Sequence, residues 1–337
     1  MKNSAKFYNK SLFYYISGIV FLALSAYFSL SIGSTQLKAS EIINALTDFS
    51  ADSIPARIFW YVRLPRTMAC IFCGAALSVS GAVIQRVLAN KLASPGIIGV
   101  NSGAGLAVTL CTAFGIYGGW QFSLFAFLGA LLSVMTVSVI SRRLGASKST
   151  VILIGVALNS LFNAIADTVI TFDPDVGVMS NDFKIGEFSS VTYQKLIPSV
   201  IVIAVTLFAL FTLTNELDVI GLGQESAESL GLNTGLYRTL FLIFSALLAG
   251  CAVSLAGLLS FVGLIVPHII SKIAGSSAKR LLPMCALFGG GFVTLCDTAA
   301  RTLFAPYEIP VGIIMSFLGV PFFVFILIKK KGGHADA

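Results

Sequence analysis

The chain has 337 residues, of which 56% are hydrophobic and only 11% charged, with a formal net charge of +7. So few charges cannot cover a soluble surface of this size, which excludes a water-soluble enzyme and points to a bilayer as solvent. The positive excess then reports membrane orientation rather than nucleic-acid binding.

About 20 apolar residues are needed to cross the hydrocarbon. The apolar runs divide into ten predicted helices, near 11–31, 62–84, 95–114, 119–141, 150–171, 194–213, 237–257, 259–274, 282–304 and 311–328. This is an all-α integral membrane protein with one transmembrane domain over 1–337. Cytoplasmic loops hold the excess of Lys and Arg. With both termini cytoplasmic, the inner side collects 15 of the 22 basic residues, among them Lys2, Lys6, Lys10, Arg86, Arg142, Arg143, Arg238, Lys272 and Lys329–Lys331. The outer segments carry Glu41, Asp48, Asp52, Asp173, Asp175, Asp182, Glu187 and Glu308. An even number of spans agrees with this division.

The first apolar run, Leu12–Leu30, is long for a cleaved signal peptide and no clean A-x-A site follows, so it is kept as a span. Arg63-Leu-Pro-Arg66 opens the second. A cation at the bilayer centre would cost about 2.5–3.5 kcal/mol on insertion, so both arginines belong at the interface or in a polar cavity. Gly74-Ala-Ala-Leu-Ser78-Val-Ser80-Gly81 follows, with small residues that let helix backbones approach. Cys70 and Cys73 form a C-x-x-C pair, but without a second pair or a nearby His they read as small apolar filler, like the other four cysteines.

Pro95 and Gly96 break the chain and make 86–95 a compact inner loop before Asn101-Ser-Gly103-Ala-Gly105. In this order, RLPR, GAALSVSGAVIQ, N-x-L-A-x-P-x-x-x-G from Asn90 to Gly99, and NSGAG resemble the FecCD-type permease subunits of ABC importers for iron–siderophore, haem and cobalamin. The resemblance runs over nearly the whole chain. It implies a type II ABC importer permease fold in a multi-pass subunit of the bacterial cytoplasmic (inner) membrane. It also implies no catalysis by this chain, since ATP and Mg are bound by a separate ATPase.

Gly145-Ala-Ser147-Lys148-Ser149-Thr150 hints at a phosphate loop, but Ser147 replaces the required Gly and no strand precedes it. Asn159, Asn163 and Asp167 lie four apart on one face of the fifth span, a polar stripe suited to line a pore or bond another helix. Asp173, Asp175 and Asp182 lack the further ligands of a calcium loop and read as a solvated segment.

Asn215–Arg238 is a charged island between two long apolar runs, with Leu217/Ile220 and Ala227/Leu230 at helical spacing and four glycines punctuating it. It reads as a handle for a cytosolic partner. Independently, Leu217, Asp218, Leu222, Gly223, Glu225, Ala227, Leu230, Gly231 and Leu232 match the family pattern for coupling helices at about 215–235 that dock in a cleft of the ATPase.

Pro267 removes a backbone donor and is expected to kink or unwind the eighth span. His268, with only His334 besides it, reads as structural. Leu258 and Ser271-Lys272 depart from the family pattern and bear on loop contacts rather than fold. Asp297 and Arg301 stand four apart, as a helical ion pair requires.

The resemblance implies three further assignments. Arg63, Arg66 and Arg301 would receive acidic residues of a periplasmic or lipid-anchored binding protein that delivers a ferric siderophore. Asn90, Leu92, Ser149 and Thr150 would form the cytoplasmic gate, with Asn159 and Asn163 on the translocation path. Partners would be a second permease subunit, identical or paralogous, and two cytoplasmic ATPase subunits. A stand-alone secondary transporter would need intramembrane ionisable relays, for which Asp167 and Asp297 are few, and inverted repeats, of which none is convincing, and ATP dependence of uptake separates the two. An intramembrane hydrolase using Ser102 or Ser254 would need a partner His, and His268 has no nucleophile motif to serve.

Overall fold

The computed structural model describes residues 2–33, 53–145 and 147–332. Glu41, Asp48, Asp52 and His334 lie outside the described residues. So do the side chains of the terminal lysines Lys2, Lys6, Lys10 and Lys329–Lys331. The described residues are helical with short connections, and no strand is found among them.

In chain order the helices are α1 (Lys2–Ser31), α2 (Ile54–Val87), α3 (Val100–Ala113), α4 (Gly119–Arg143), α5 (Lys148–Phe172), α6 (Pro174–Ile185), α7 (Tyr193–Thr212), α8 (Thr214–Gly221), α9 (Gln224–Ser229), α10 (Thr234–Ala256), α11 (Val262–Ile273), α12 (Ala278–Thr302) and α13 (Val311–Gly332). Seven of them, α1, α2, α4, α5, α7, α10 and α12, are long and apolar enough to cross a membrane. The other three predicted spans fall on shorter apolar stretches, Val100–Ala113, Val262–Ile273 and Val311–Ile326. At about 1.5 Å per residue, α3 and α11 reach about 21 and 18 Å, short of a hydrocarbon core about 30 Å thick.

The predicted second span starts late. Ser53 accepts the Ala56 amide at 3.3 Å and Pro55 occupies the first turn, so the helix begins at Ile54 and passes through a π turn at Phe59–Arg63. Its most apolar stretch is 83% buried, against 17% in α1 and α5, which makes α2 the axis of the bundle.

Small residues explain how α2 reaches the centre. A Cβ on Gly74 would lie 2.2 Å from the Gly289 carbonyl oxygen of α12, and one on Gly81 would lie 1.9 Å from that of Gly263 in α11. Backbones therefore touch directly at both points. Hydroxyls on different faces of α2 also reach across: Ser78 donates to the Cys285 carbonyl of α12 at 2.5 Å and Ser80 to that of Ser245 in α10 at 2.8 Å. Cys70 and Cys73 are buried in this packing, and the Cys73 thiol reaches the Ala252 carbonyl at 3.7 Å.

Pro267 does not unwind its helix, one of the two outcomes expected from the sequence. It lies inside α11, and the unwound stretch is Gly257–Phe261, where Gly257 and Phe261 have φ of +71° and +66°. The carbonyl that Pro267 cannot bond belongs to Gly263, and Gln85 Nε2 donates to it at 3.2 Å. Pro283 in α12 follows the same rule, because Tyr15 donates to the Lys279 carbonyl at 3.4 Å. Side chains from neighbouring helices thus replace the missing donors, which lets proline persist in an apolar helix.

Candidate coupling surface and translocation face

The charged island folds as two short helices, α8 and α9, joined at Gly223, whose φ of +112° only glycine adopts readily. The pair is two-faced. Leu217, Ile220 and Ala227 are buried against the bundle, whereas Leu222, Glu225 and Leu230 are exposed. Gly231 turns the chain into α10 at φ +83°. Glu228 accepts from Thr234 at 2.7 Å and Gln224 at 3.0 Å, and these bonds hold its carboxyl below the usual carboxylate range.

Asp218 is bonded to the body of the bundle. Its Oδ1 accepts from the Arg86 guanidinium at the end of α2 and from the Ala278 amide at 2.8 Å, while Oδ2 accepts from Ser277 Oγ at 3.1 Å. The carboxylate thereby fastens α8 to two other helices. A cavity of about 440 Å³, lined by Arg86, Lys91, Asp218, Pro267 and Ser277 among others, opens beside it.

The expected gate residues occupy local turns. Asn90 Oδ1 accepts the Leu92 amide at 2.9 Å, and Leu92 is half-buried. Ser147 caps α5 by accepting the Thr150 amide at 3.2 Å, with its hydroxyl 2.9 Å from that of Thr150, while Ser149 is exposed. The polar stripe of α5 divides. Asn159 turns inward, donating to the Gly96 and Ile97 carbonyls at 3.1 and 3.2 Å and accepting from Ser102, so it clamps the Pro95–Ile98 turn to α5. Asn163 and Asp167 stay exposed together with Ser160 and Thr171. Ser102 is thus committed to Asn159, while Ser254 donates to the Cys251 carbonyl at 2.8 Å. His268 meets Phe322 edge-on at 6.2 Å between ring centroids, in keeping with a packing role.

At the opposite end of α2 and α12 the arginines are interior groups. Arg63, Arg66 and Arg301 are 3%, 8% and 4% exposed, which is too little to present them to an incoming protein in this conformation. Arg66 reaches Asp297 Oδ1 at 2.9 Å and Glu308 Oε2 at 2.8 Å. Arg301 Nε lies 3.1 Å from Asp297 Oδ2, and its Nη2 donates to Ser29 Oγ at 2.9 Å. Arg63 Nη1 donates to the Leu30 carbonyl at 2.7 Å. The predicted Asp297–Arg301 pair is present, but Asp297 is shared by two cations. Glu308 is the more accessible member, with a side chain 35% exposed.

The sequence profile of the FecCD transport family matches residues 21–329. A protein of Methanocaldococcus jannaschii assigned as an ABC transporter permease is 32% identical over 333 residues, 95% of each chain. The vitamin B12 import system permease protein BtuC of Yersinia pseudotuberculosis is 36% identical over 276 residues, 81% of this chain and 82% of its own. Among solved structures, one described as an inward-facing conformation of a metal-chelate type ABC transporter superposes with a TM-score of 0.81 at 27% identity, covering 95% of this chain and 99% of that one. PsaBC from Streptococcus pneumoniae, solved in complex with Fab, shares the fold at 17% identity and a TM-score of 0.57 over 86% of this chain. With the profile matched over residues 21–329 and relatives 32% and 36% identical over most of its length, the chain belongs to the FecCD transport family.

Proposed function

We propose that this chain is the membrane permease subunit of an ATP-driven importer that carries a ferric siderophore from an external binding protein into the cytoplasm. The observation that carries the proposal is the α8–α9 pair: Leu217, Ile220 and Ala227 anchor it, and Leu222, Glu225 and Leu230 are left for a partner. Two ATPase subunits, one per permease, would grip this surface and supply the energy, so this chain itself is not an enzyme. Ten spans with both termini inside put α8 and α9 on the cytosolic face, in agreement with the basic residues Arg86, Arg142, Arg143 and Arg238.

The substrate path runs along α5 where two permease copies meet. Asn163, Asp167 and Ser160 are exposed on a helix otherwise apolar enough to span the membrane, and lipid is a poor solvent for them. The second reading is cobalamin as cargo, favoured by relatives named for vitamin B12 import. Uptake of a ferric siderophore and of cobalamin by proteoliposomes holding the complete importer separates the two. Glu225→Arg is expected to uncouple ATP hydrolysis from that uptake and lower accumulation at least about tenfold, a coupling of ordinary size. Unchanged uptake would count against the proposal.

A further inference from the structure

We infer that Asp218 is an internal positioning residue rather than a contact for the ATPase: it latches α8 to α2 and α12, so that a push on α8 moves both helices together. The inference rests on the permease reading above and assigns this residue a different task from its neighbours.

Both carboxylate oxygens of Asp218 are used, by donors at the end of α2 and the start of α12. Arg86 comes from the last turn of α2. The Ala278 amide is one of the unsatisfied donors at the start of α12, where the helix dipole also favours an anion. Ser277 stands at the N-cap position but makes no side-chain cap of its own. The cap of α12 is therefore supplied from another helix, by a residue 60 positions earlier. Leu217 and Ile220 on either side are buried, which points Asp218 at the bundle and leaves Leu222, Glu225 and Leu230 outward.

A latch transmits motion only if what it holds is stiff. The α2–α12 seam supplies this, since Gly74, Ser78 and Gly289 bring the two backbones into contact too close for any added carbon. The same two helices carry Arg66, Asp297 and Arg301 at their far ends. One body thus joins the handle to the opposite end of the bundle, with a cavity of about 440 Å³ beside Asp218.

The test uses the complete importer in proteoliposomes, with whichever of a ferric hydroxamate and cobalamin the unmutated complex accumulates. Asp218→Asn is expected to keep its ATPase subunits through purification while uptake per ATP hydrolysed falls about tenfold, a coupling of ordinary size for linked sites. Asp218→Glu should recover at least half of the loss. Arg86→Gln spares the cap and should lose about threefold on the same scale, which keeps the inference testable if Asp218→Asn does not fold. Glu225→Arg, on the outward face, should weaken retention of the ATPase in addition to lowering uptake. Unchanged uptake per ATP in Asp218→Asn and Arg86→Gln would overturn the inference, as would loss of the ATPase in Asp218→Asn. An unmutated chain that retains no ATPase would instead sink the permease reading itself.

Discussion

The two polar clusters on α2 and α12 are built to opposite specifications. At one end Asp297 is 1% exposed and shared between Arg66 and Arg301. At the other, Asp218 and Arg86 have side chains 35% and 16% exposed and border a cavity. Removing one partner from a buried ion cluster strands the rest without water, whereas a pair partly open to solvent is screened and contributes less stability. The difference teaches that one end of the helix pair holds the bundle together and the other end is free to be worked.

The largest test of this contrast is Asp297→Asn. It leaves Arg66 and Arg301 buried side by side without their shared anion, at a cost of about 3–5 kcal/mol. Thermal unfolding of the purified protein in detergent should show a large loss for Asp297→Asn. Asp218→Asn should lose about 1 kcal/mol or less on the same assay, because its pair is partly open to solvent. Equal losses at the two ends would erase the distinction.

Next in size is the packing of α2 on α11, between the two ends. An alanine Cβ at Gly81 would lie 1.9 Å from the Gly263 carbonyl oxygen and 2.5 Å from its Cα, so backbone must move. Overpacking of this kind costs about 1–3 kcal/mol or more. Gly105 in α3 has nothing within 4 Å of the same position. There the helix interior favours alanine by about 0.5–1 kcal/mol. Opposite signs for Gly81→Ala and Gly105→Ala in the same unfolding assay would confirm that α2 is the rigid axis.

These features differ in how far the sequence announces them. The α8–α9 handle is legible because charge and glycine interrupt long apolar runs, and hydropathy alone finds the seven long helices. Helix pairing is not legible. Asp297 lies 231 residues from Arg66, Glu308 lies 242 from it, and Gln85 lies 178 from the carbonyl it satisfies, so only the i,i+4 contact to Arg301 could be anticipated. Periodicity put Asn159 on the same stripe as Asn163 and Asp167, but the stripe is wide enough to face two ways. The early start of α2 did carry a signal, Ser53 followed by Ile54 and Pro55, which the charges around it mask in a hydropathy reading.

The smallest predicted effect sharpens the contrast through pH. Thr234 and Gln224 hydrogen-bond the ionised Glu228 carboxylate and lower its folded pKa, in a group fully exposed to water. A depressed carboxyl pKa adds stability that is present above the ordinary carboxylate value and fades as pH falls through the folded one. The contacts at issue tie α9 to the start of α10, so the loss is local to the worked end. Amide hydrogen exchange of 224–234 should quicken as pH is lowered into the acid range, after correction for the intrinsic pH dependence of exchange. Glu228→Gln should remove that pH dependence while the exchange of α2 and α12 stays unchanged in both proteins. Quickening that spread to α2 and α12 would mean the two ends are not separated in stability, and the division drawn from their burial would fail.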